Sequence, residues 1–298
     1  MVHNRDILWK GLLEMVLEDL LRFVFHDADQ VFNMQREFGF LDKELAEMYP
    51  EPEKKTDVRF VDKLVKVFRK DGGEEWILIH LEVQDKTKAK DRPLFPERMF
   101  RYFYRCFDRY RKPVMAIAIF CGPDGKKLPV RYKYEFMNTR LEYHYNTLCI
   151  LDYSDDELGK SKNPFAWVVL AAKQALLKGK NLDDRLLEGK VFIFRKLYDG
   201  GLFEKRKLQA IFTFLNNYVR FENPETNRKF GNSIDQYTGK ENTMDIFEQV
   251  AELKVEEKSW QVVSNLLKET EFSMDKIASL AGVTVNFVKE VKKSLKKK

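Results

Sequence analysis

Two acids and an amide stand where a pair of strands would gather them. Residues 62–68 read D-K-L-V-K-V-F, residues 76–84 read W-I-L-I-H-L-E-V-Q, and R-K-D-G-G-E-E lies between. The two runs are rich in β-branched and apolar residues, and Asp-Gly-Gly marks a hairpin turn. Glu82 and Gln84 are two apart on one strand, so they share a face. Register decides whether Asp62 joins them, because opposed residues in a hairpin have a constant sum of residue numbers. Phe68 opposite Trp76 gives 144 and sets Asp62 against Glu82; Asp71 opposite Glu75 gives 146 and sets Asp62 against Gln84. Either even sum keeps all three on one face, whereas an odd sum, as from a two-residue Gly-Gly turn, separates them. An odd-length loop is therefore predicted. Opposed Cβ atoms lie about 4.5–5.5 Å apart, close enough for two carboxylates to hold a divalent cation through oxygens at roughly 2.0–2.6 Å. Such an ion polarises a phosphodiester and lowers the pKa of the water that attacks phosphorus. The structural alternative is a solvated strand face carrying incidental acids. Against it, Asp and Glu are disfavoured in strands and here interrupt apolar runs.

Other groups bear on the same chemistry. His80 has the parity of Glu82 and is read either as an acid–base or metal neighbour or as a satisfied structural residue. A helix is predicted from Pro96 to Arg111, on which Arg98, Arg101, Arg105 and Arg109 follow at spacings of 3, 4 and 4 and form one face. Four arginines with no acid among them suit a ridge that grips phosphates better than a merely solvated face. At the end of the chain, Ser273 can cap Met274–Leu280, Gly282 suits the turn that follows, and Thr284 can cap a helix from Val285 onward. This is a helix–turn–helix outline with Lys289, Lys292 and Lys293 on its second helix, set against the alternative of a solvated basic end.

The elements that must position these groups are legible in outline. Asp6–Phe25 has helical periodicity and Leu41–Met48 a shorter one; Val114–Phe120 is an apolar run that suits a strand buried on both faces, and Tyr145–Leu151 suits another. From Pro164 the pattern is helical: Phe165–Lys178, Asp184–Leu197, Glu204–Val219 and Thr243–Leu267. Asn223–Gly239, rich in turn-forming residues, reads as a loop or boundary, and Glu248–Glu257 as an acidic spacer. The fold class is α/β, an α+β mixed sheet, in three stretches: a core at 1–160, a helical extension at 161–240 and a C-terminal helical segment at 241–298.

Composition sets the bounds. The 298 residues carry 53 Lys and Arg against 47 Asp and Glu, a net +6, with 44% apolar residues, which excludes disorder throughout. No apolar run approaches the roughly 20 residues of a membrane span, and no signal peptide is visible. Cys106, Cys121 and Cys149 are widely spaced and odd in number, no CxxC is present, and the four His are scattered, so neither a disulfide framework nor a structural zinc site is expected. A cytoplasmic protein follows, and its basic balance permits a nucleic-acid partner.

The hairpin runs, together with P-E-R-M-F-R-Y at 96–102, F-G-F-L-D-K-E-L at 38–45 and N-P-F-A at 163–166, resemble the PD-(D/E)XK nuclease superfamily. Within it they are most similar to the recombination-promoting nuclease or putative transposase branch, the Rpn and YhgA-like group. The resemblance covers roughly Asp6 to Val219. It implies a restriction-endonuclease-like αβββαβ core and a metal-dependent DNA endonuclease acting in recombination or transposition, with Mg²⁺ or Mn²⁺ as cofactor. Carried over, Asp62 and Glu82 hold the metal, joined by an acid of the first helix, Glu14 or Glu18. Arg98 and Tyr102 lie nearest the chemistry, and DNA is the partner, with a homodimer left open. The superfamily pattern has Lys at position 84, where this chain has Gln, as the nearest branch does. Glutamine can orient water or phosphate but carries no charge; Lys86 and Lys66 are candidate replacements for the cation. The alternative is a catalytically inactive DNA-binding or protein-interaction module that keeps the nuclease fold.

Overall fold

The computed structural model describes residues 2–41, 43–45, 61–82, 94–200, 204–239, 259–260 and 262–295; at 2–7, 61–62, 76–82, 286, 290 and 294 the description is of backbone only. The chain is mixed α and β and divides into two compact units, Met1–Ser233 and Ile234–Lys298.

In the first unit, α1 (Val2–Val24) leaves helical geometry once, at Val16. Its Leu13, Val16, Leu17, Leu20 and Leu21 are buried, a stripe at helical spacing. After the short α2 (Ala28–Val31) come β1 (Gly39–Phe40), β2 (Val61–Phe68) and β3 (Glu74–Glu82). Next follow α3 (Leu94–Tyr110) and β4 (Val114–Phe120), the latter at the bounds expected from its apolar run. A hairpin of β5 (Arg131–Phe136) and β6 (Thr139–His144) precedes β7 (Asn146–Cys149). The main sheet runs β1-β2-β3-β4-β7, and β5-β6 is a separate two-stranded sheet. β1, β2 and β3 are antiparallel; β3, β4 and β7 are parallel. The β5–β6 hairpin was not anticipated, because its polar and aromatic residues mimic a loop wherever the alternation is missed.

Both faces of the sheet are covered. Odd-numbered Val65 and Val67 of β2 are buried on the side of α1, which packs on β2. Behind α1 lie α5 (Pro164–Gln174) and α7 (Lys205–Tyr218), and Trp9 meets the rings of Phe214 and Tyr218 at 4.7 and 5.9 Å. Residues 164–172 of α5 are all buried, as in a helix enclosed on every side. The other face is covered by α3: Phe95 and Met99 join Ala116, Ala118 and Phe120 in one core cluster, and Tyr102 and Cys106 join Leu64 and Leu45 in another.

Between β7 and α5 lies α4 (Asp155–Lys160), held by a capping box of Ser154 and Glu157, and α6 (Leu182–Asp199) precedes α7. The stretch Asn223–Gly239, expected as loop, is instead mostly the helix α8 (Pro224–Thr238). Its start is held from a distance: the Asp183 carboxylate accepts from Glu222 N, Asn223 N and Thr226 Oγ1 at 2.9, 2.8 and 3.2 Å. Phe230 seats against Phe221, with the ammonium of fully buried Lys190 4.4 Å from the Phe230 ring. Pro, Asn and Gly in this stretch hid that anchor.

The second unit contains a helical stretch over 262–269, then α9 (Met274–Ala281) and α10 (Val285–Leu295). Ser273 Oγ accepts from Lys276 N, Gly282 has φ 66°, and Thr284 Oγ1 accepts from Phe287 N, as the cap residues predict. Val263, Ile277, Ala278, Val288 and Val291 form its core. Half of the residues expected as a helix at Leu41–Met48, most of those at Thr243–Leu267 and all of Glu248–Glu257 lie outside the described residues, and 43–45 are helical.

Candidate active site

The β2–β3 hairpin turns over an odd number of residues, as predicted. Phe68 pairs with Glu74, and Arg69 N donates to Gly73 O at 2.8 Å, leaving Lys70, Asp71 and Gly72 as the turn. Gly72 has φ +86°, open to a residue without Cβ, and Asp71 Oδ1 accepts from Gly73 N at 3.0 Å. Arg69 ties the turn to Asp71 and Glu75 at 2.8 and 2.9 Å.

The register differs from both expectations. Opposed residues sum to 142, so Asp62 stands opposite His80, with Glu82 two residues further along β3. The parity is unchanged, and Asp62, His80 and Glu82 belong to the same face of the sheet. What changes is separation: Asp62 and Glu82 become diagonal neighbours, about 7–8 Å apart and somewhat less at Cβ, rather than directly opposed at about 5 Å. A gap of that size is within reach of two carboxylates that share one ion through oxygens at about 2.0–2.6 Å. Gln84 and Lys86 lie outside the described residues, as do the side chains of Asp62, His80 and Glu82; among the described residues no group of three or more His, Cys, Asp or Glu could hold a metal.

The face that Asp62 shares is the face under α3. Across the sheet Asp62 aligns with His80 and Ala118, and Glu82 aligns with Phe120. The Phe120 ring lies 5.4 Å from that of Phe95 at the start of α3, and the Arg98 guanidinium is 5.4 Å from the Phe95 ring. Arg98 is therefore the arginine at the Glu82 end. Arg109 follows eleven residues later, about 16 Å along the helix. The ridge is also less purely cationic than its spacing suggests, since Glu97 pairs with Arg101 at 2.6 Å. Arg105 is exposed, and the Arg109 guanidinium lies 5.5 Å from the Tyr110 ring. Tyr102 is buried in the Leu64 cluster. Tyr145 donates to Pro129 O, and burial pushes its phenol well above the ordinary range while the Arg98 charge opposes that shift.

The acids of α1 have other partners. Lys63 is 1% exposed, and its Nζ donates to Glu14 Oε1 at 2.8 Å. Lys63 has the strand parity opposite to Asp62, so Glu14 is engaged on the α1 side of the sheet. Glu18 pairs with Lys207 and lies 3.4 Å from Arg22. Lys66, with the parity of Asp62, pairs with Glu74 at 2.8 Å near the opposite end of β2.

A second charged cluster went unseen in the sequence. Asp19, Arg22, Lys162, Asn163, Pro164, Glu204 and Lys207 line a pocket of about 510 Å³. Burial raises the pKa of the Asp19 carboxyl against the opposing charge of Lys207, 2.9 Å away. Burial pulls the Lys207 amine down, but hydrogen bonds to Glu18 and Asp19 leave it raised overall. Asn163 of N-P-F-A caps α5 through Phe165 N at 2.8 Å and donates to Asp19 O at 2.9 Å, which locks α5 to α1. Residues so far apart in the chain leave no local signal of this arrangement.

In the second unit Lys289, Lys292 and Lys293 are all exposed on α10. Comparison with family models, curated proteins and solved structures finds no match to this chain.

Proposed function

We propose that the protein is a metal-dependent DNA endonuclease of the kind its motifs resemble, acting in recombination or transposition. The observation that carries this reading is the hairpin register, with Asp62, His80 and Glu82 on one face at the carboxyl end of β3, beneath the arginine-bearing end of α3. In open α/β sheets ligands bind beyond the carboxyl ends of the parallel strands. Over residues 2–120 the described elements run α1-α2-β1-β2-β3-α3-β4, with β2–β3 antiparallel and β3–β4 parallel, a mixed α/β arrangement compatible with this reading.

Two carboxylates diagonal across a strand pair fit a hard divalent cation, Mg²⁺ or Mn²⁺, and Asp62 and Glu82 are the residues that would hold it. When bound, the cation supplies Lewis acidity toward a phosphodiester and makes water more acidic. Gln84 orients water or a phosphate oxygen by hydrogen bonding, and Arg98 binds the scissile phosphate as a fixed positive charge, with Arg101 beside it. Arg105 and Arg109 grip the backbone further along α3, and Lys289, Lys292 and Lys293 grip it from α10.

A catalytically inactive DNA- or protein-binding module is the second reading, favoured by Gln84 where a lysine would be expected and by the pairing of Glu14 with Lys63. Plasmid nicking with Mg²⁺ or Mn²⁺ separates the two. Nicking that is abolished in both Asp62→Ala and Glu82→Ala supports the first reading, and nicking that persists in either variant refutes the assigned site. DNA binding with a steep salt dependence and no cleavage establishes the second.

A further inference from the structure

The β5–β6 hairpin sorts its residues by chemistry. Register pairs Tyr132 with Tyr143, Tyr134 with Leu141 and Phe136 with Thr139 on one face; the other face carries Arg131, Lys133, Glu135, Arg140, Glu142 and His144. The charged face is internally paired: Arg131 and Lys133 reach Glu142 at 2.9 and 3.6 Å, and Arg140 reaches Glu135 at 3.0 Å. The aromatic face is covered over only half its length. At the root, Tyr132 stacks on Phe100 of α3 at 5.3 Å with planes 16° apart, and Tyr143 lies 4.8 Å from Phe103. Toward the tip the described residues leave it open: Tyr134 is 46% exposed, Phe136 62% and Met137 82%. Met137 also holds φ 51°, unusual for a residue with a side chain.

The exposed aromatic surface continues onto α3. Tyr104 stacks near Phe100 and Phe107 near Phe103, and both outer rings are exposed. The segments that carry this surface are basic. Residues 94–112 hold six Lys and Arg against two acids, and residues 131–144 hold three against two, so 33 residues hold a net +5 of the chain's +6. An aliphatic partner surface would ask for neither the planarity nor the charge. A single nucleic-acid strand asks for both: aromatic rings on which bases stack and cations along its backbone.

We infer that the aromatic face of the β5–β6 hairpin, with the exposed rings of α3, binds unpaired bases of a nucleic-acid strand. The substrate class is thereby narrowed to DNA with a single-stranded or opened segment. This deepens the nuclease reading and rests on it for the reaction, but the binding is measurable without any cleavage.

The test uses full-length protein in EDTA and fluorescence anisotropy with labelled oligothymidylate and with a blunt duplex of equal length. Wild type is expected to prefer the single strand. Tyr134→Ala and Phe136→Ala each weaken single-strand binding by about 5- to 150-fold, the loss of one stacked base, while duplex binding is little changed. Phe136→Trp restores affinity. Both positions are exposed, so the variants are expected to melt with wild type. Unchanged single-strand affinity in the double alanine variant, or equal wild-type affinity for strand and duplex, overturns the proposal. So does dissociation of an oligomer by the double variant with no change in DNA affinity, which would assign the face to a second copy. Loss of nicking in Asp62→Ala with strand binding intact leaves this inference standing, and failure of all nicking removes the nuclease reading alone.

Discussion

Replacing Glu14 by Gln separates two roles for that residue. In the structure it is a counter-ion of Lys63, whose ammonium is 2.8 Å away and whose side chain is 1% exposed. Removing one partner of a buried ion pair costs about 3–5 kcal/mol, because the remaining charge is left uncompensated in a low-dielectric interior. The Glu14 side chain is 19% exposed, so water has partial access and the low end, about 3 kcal/mol, is expected. Folding units of roughly this size lose about 2–4 °C in melting temperature per kcal/mol, which gives a drop of about 6–12 °C. The assay is calorimetry or circular dichroism in EDTA, alongside nicking measured well below the lowered melting temperature. Lys63→Met should be milder, since the partly hydrated Glu14 tolerates the loss. Glu14→Leu combined with Lys63→Met should recover most of the stability, as hydrophobic replacements of buried pairs do. If Glu14→Gln melts within about 2 °C of wild type in EDTA yet loses Mg²⁺-dependent cleavage, Glu14 is a site acid and the structural reasoning fails.

Two further outcomes follow from geometry elsewhere in the chain. Slight burial disfavours the Asp183 charge, but its bonds to Glu222 N, Asn223 N and Thr226 outweigh that and hold its pKa below the ordinary 3.8. The stabilisation is complete above that value and is lost as pH falls through the lower folded-state pKa. Asp183→Asn should therefore lower stability by about 1 kcal/mol at pH 7, with a difference that narrows in thermal melts as the pH is lowered below that ordinary value; a gap independent of pH would refute the capping account. Replacing Lys289, Lys292 and Lys293 together by Ala should flatten the dependence of log affinity for duplex DNA on log salt by about 0.9 for each phosphate no longer neutralised. An unchanged slope removes the second unit from the DNA interface.

Local patterns carried far in this sequence. Val114–Phe120 became β4 at its expected bounds because an unbroken apolar run has few other stable fates. Ser273, Gly282 and Thr284 mark the ends of α9 and α10 because caps act within one helical turn. The shared face of Asp62 and Glu82 followed in sequence from an odd-length loop, which the turn of Lys70, Asp71 and Gly72 supplies.

Where the outcome depended on partners far along the chain, the sequence was silent or pointed elsewhere. Asn223–Gly239 has loop composition, yet Asp183, some 40 residues earlier, supplies its cap and Phe221 seats its ring. The arginines of α3 form one face by spacing alone, but only the position of Phe95 against Phe120 distinguishes Arg98 from Arg109, and only the folded helix shows Glu97 holding Arg101. Periodicity by itself determined which residues share a face. The tertiary structure decided which faces are covered, which charges meet across 49 or 189 residues, and which half of an aromatic hairpin is left bare. Periodicity is a property of neighbours in the chain, whereas burial and ion pairing depend on atoms that only folding brings together.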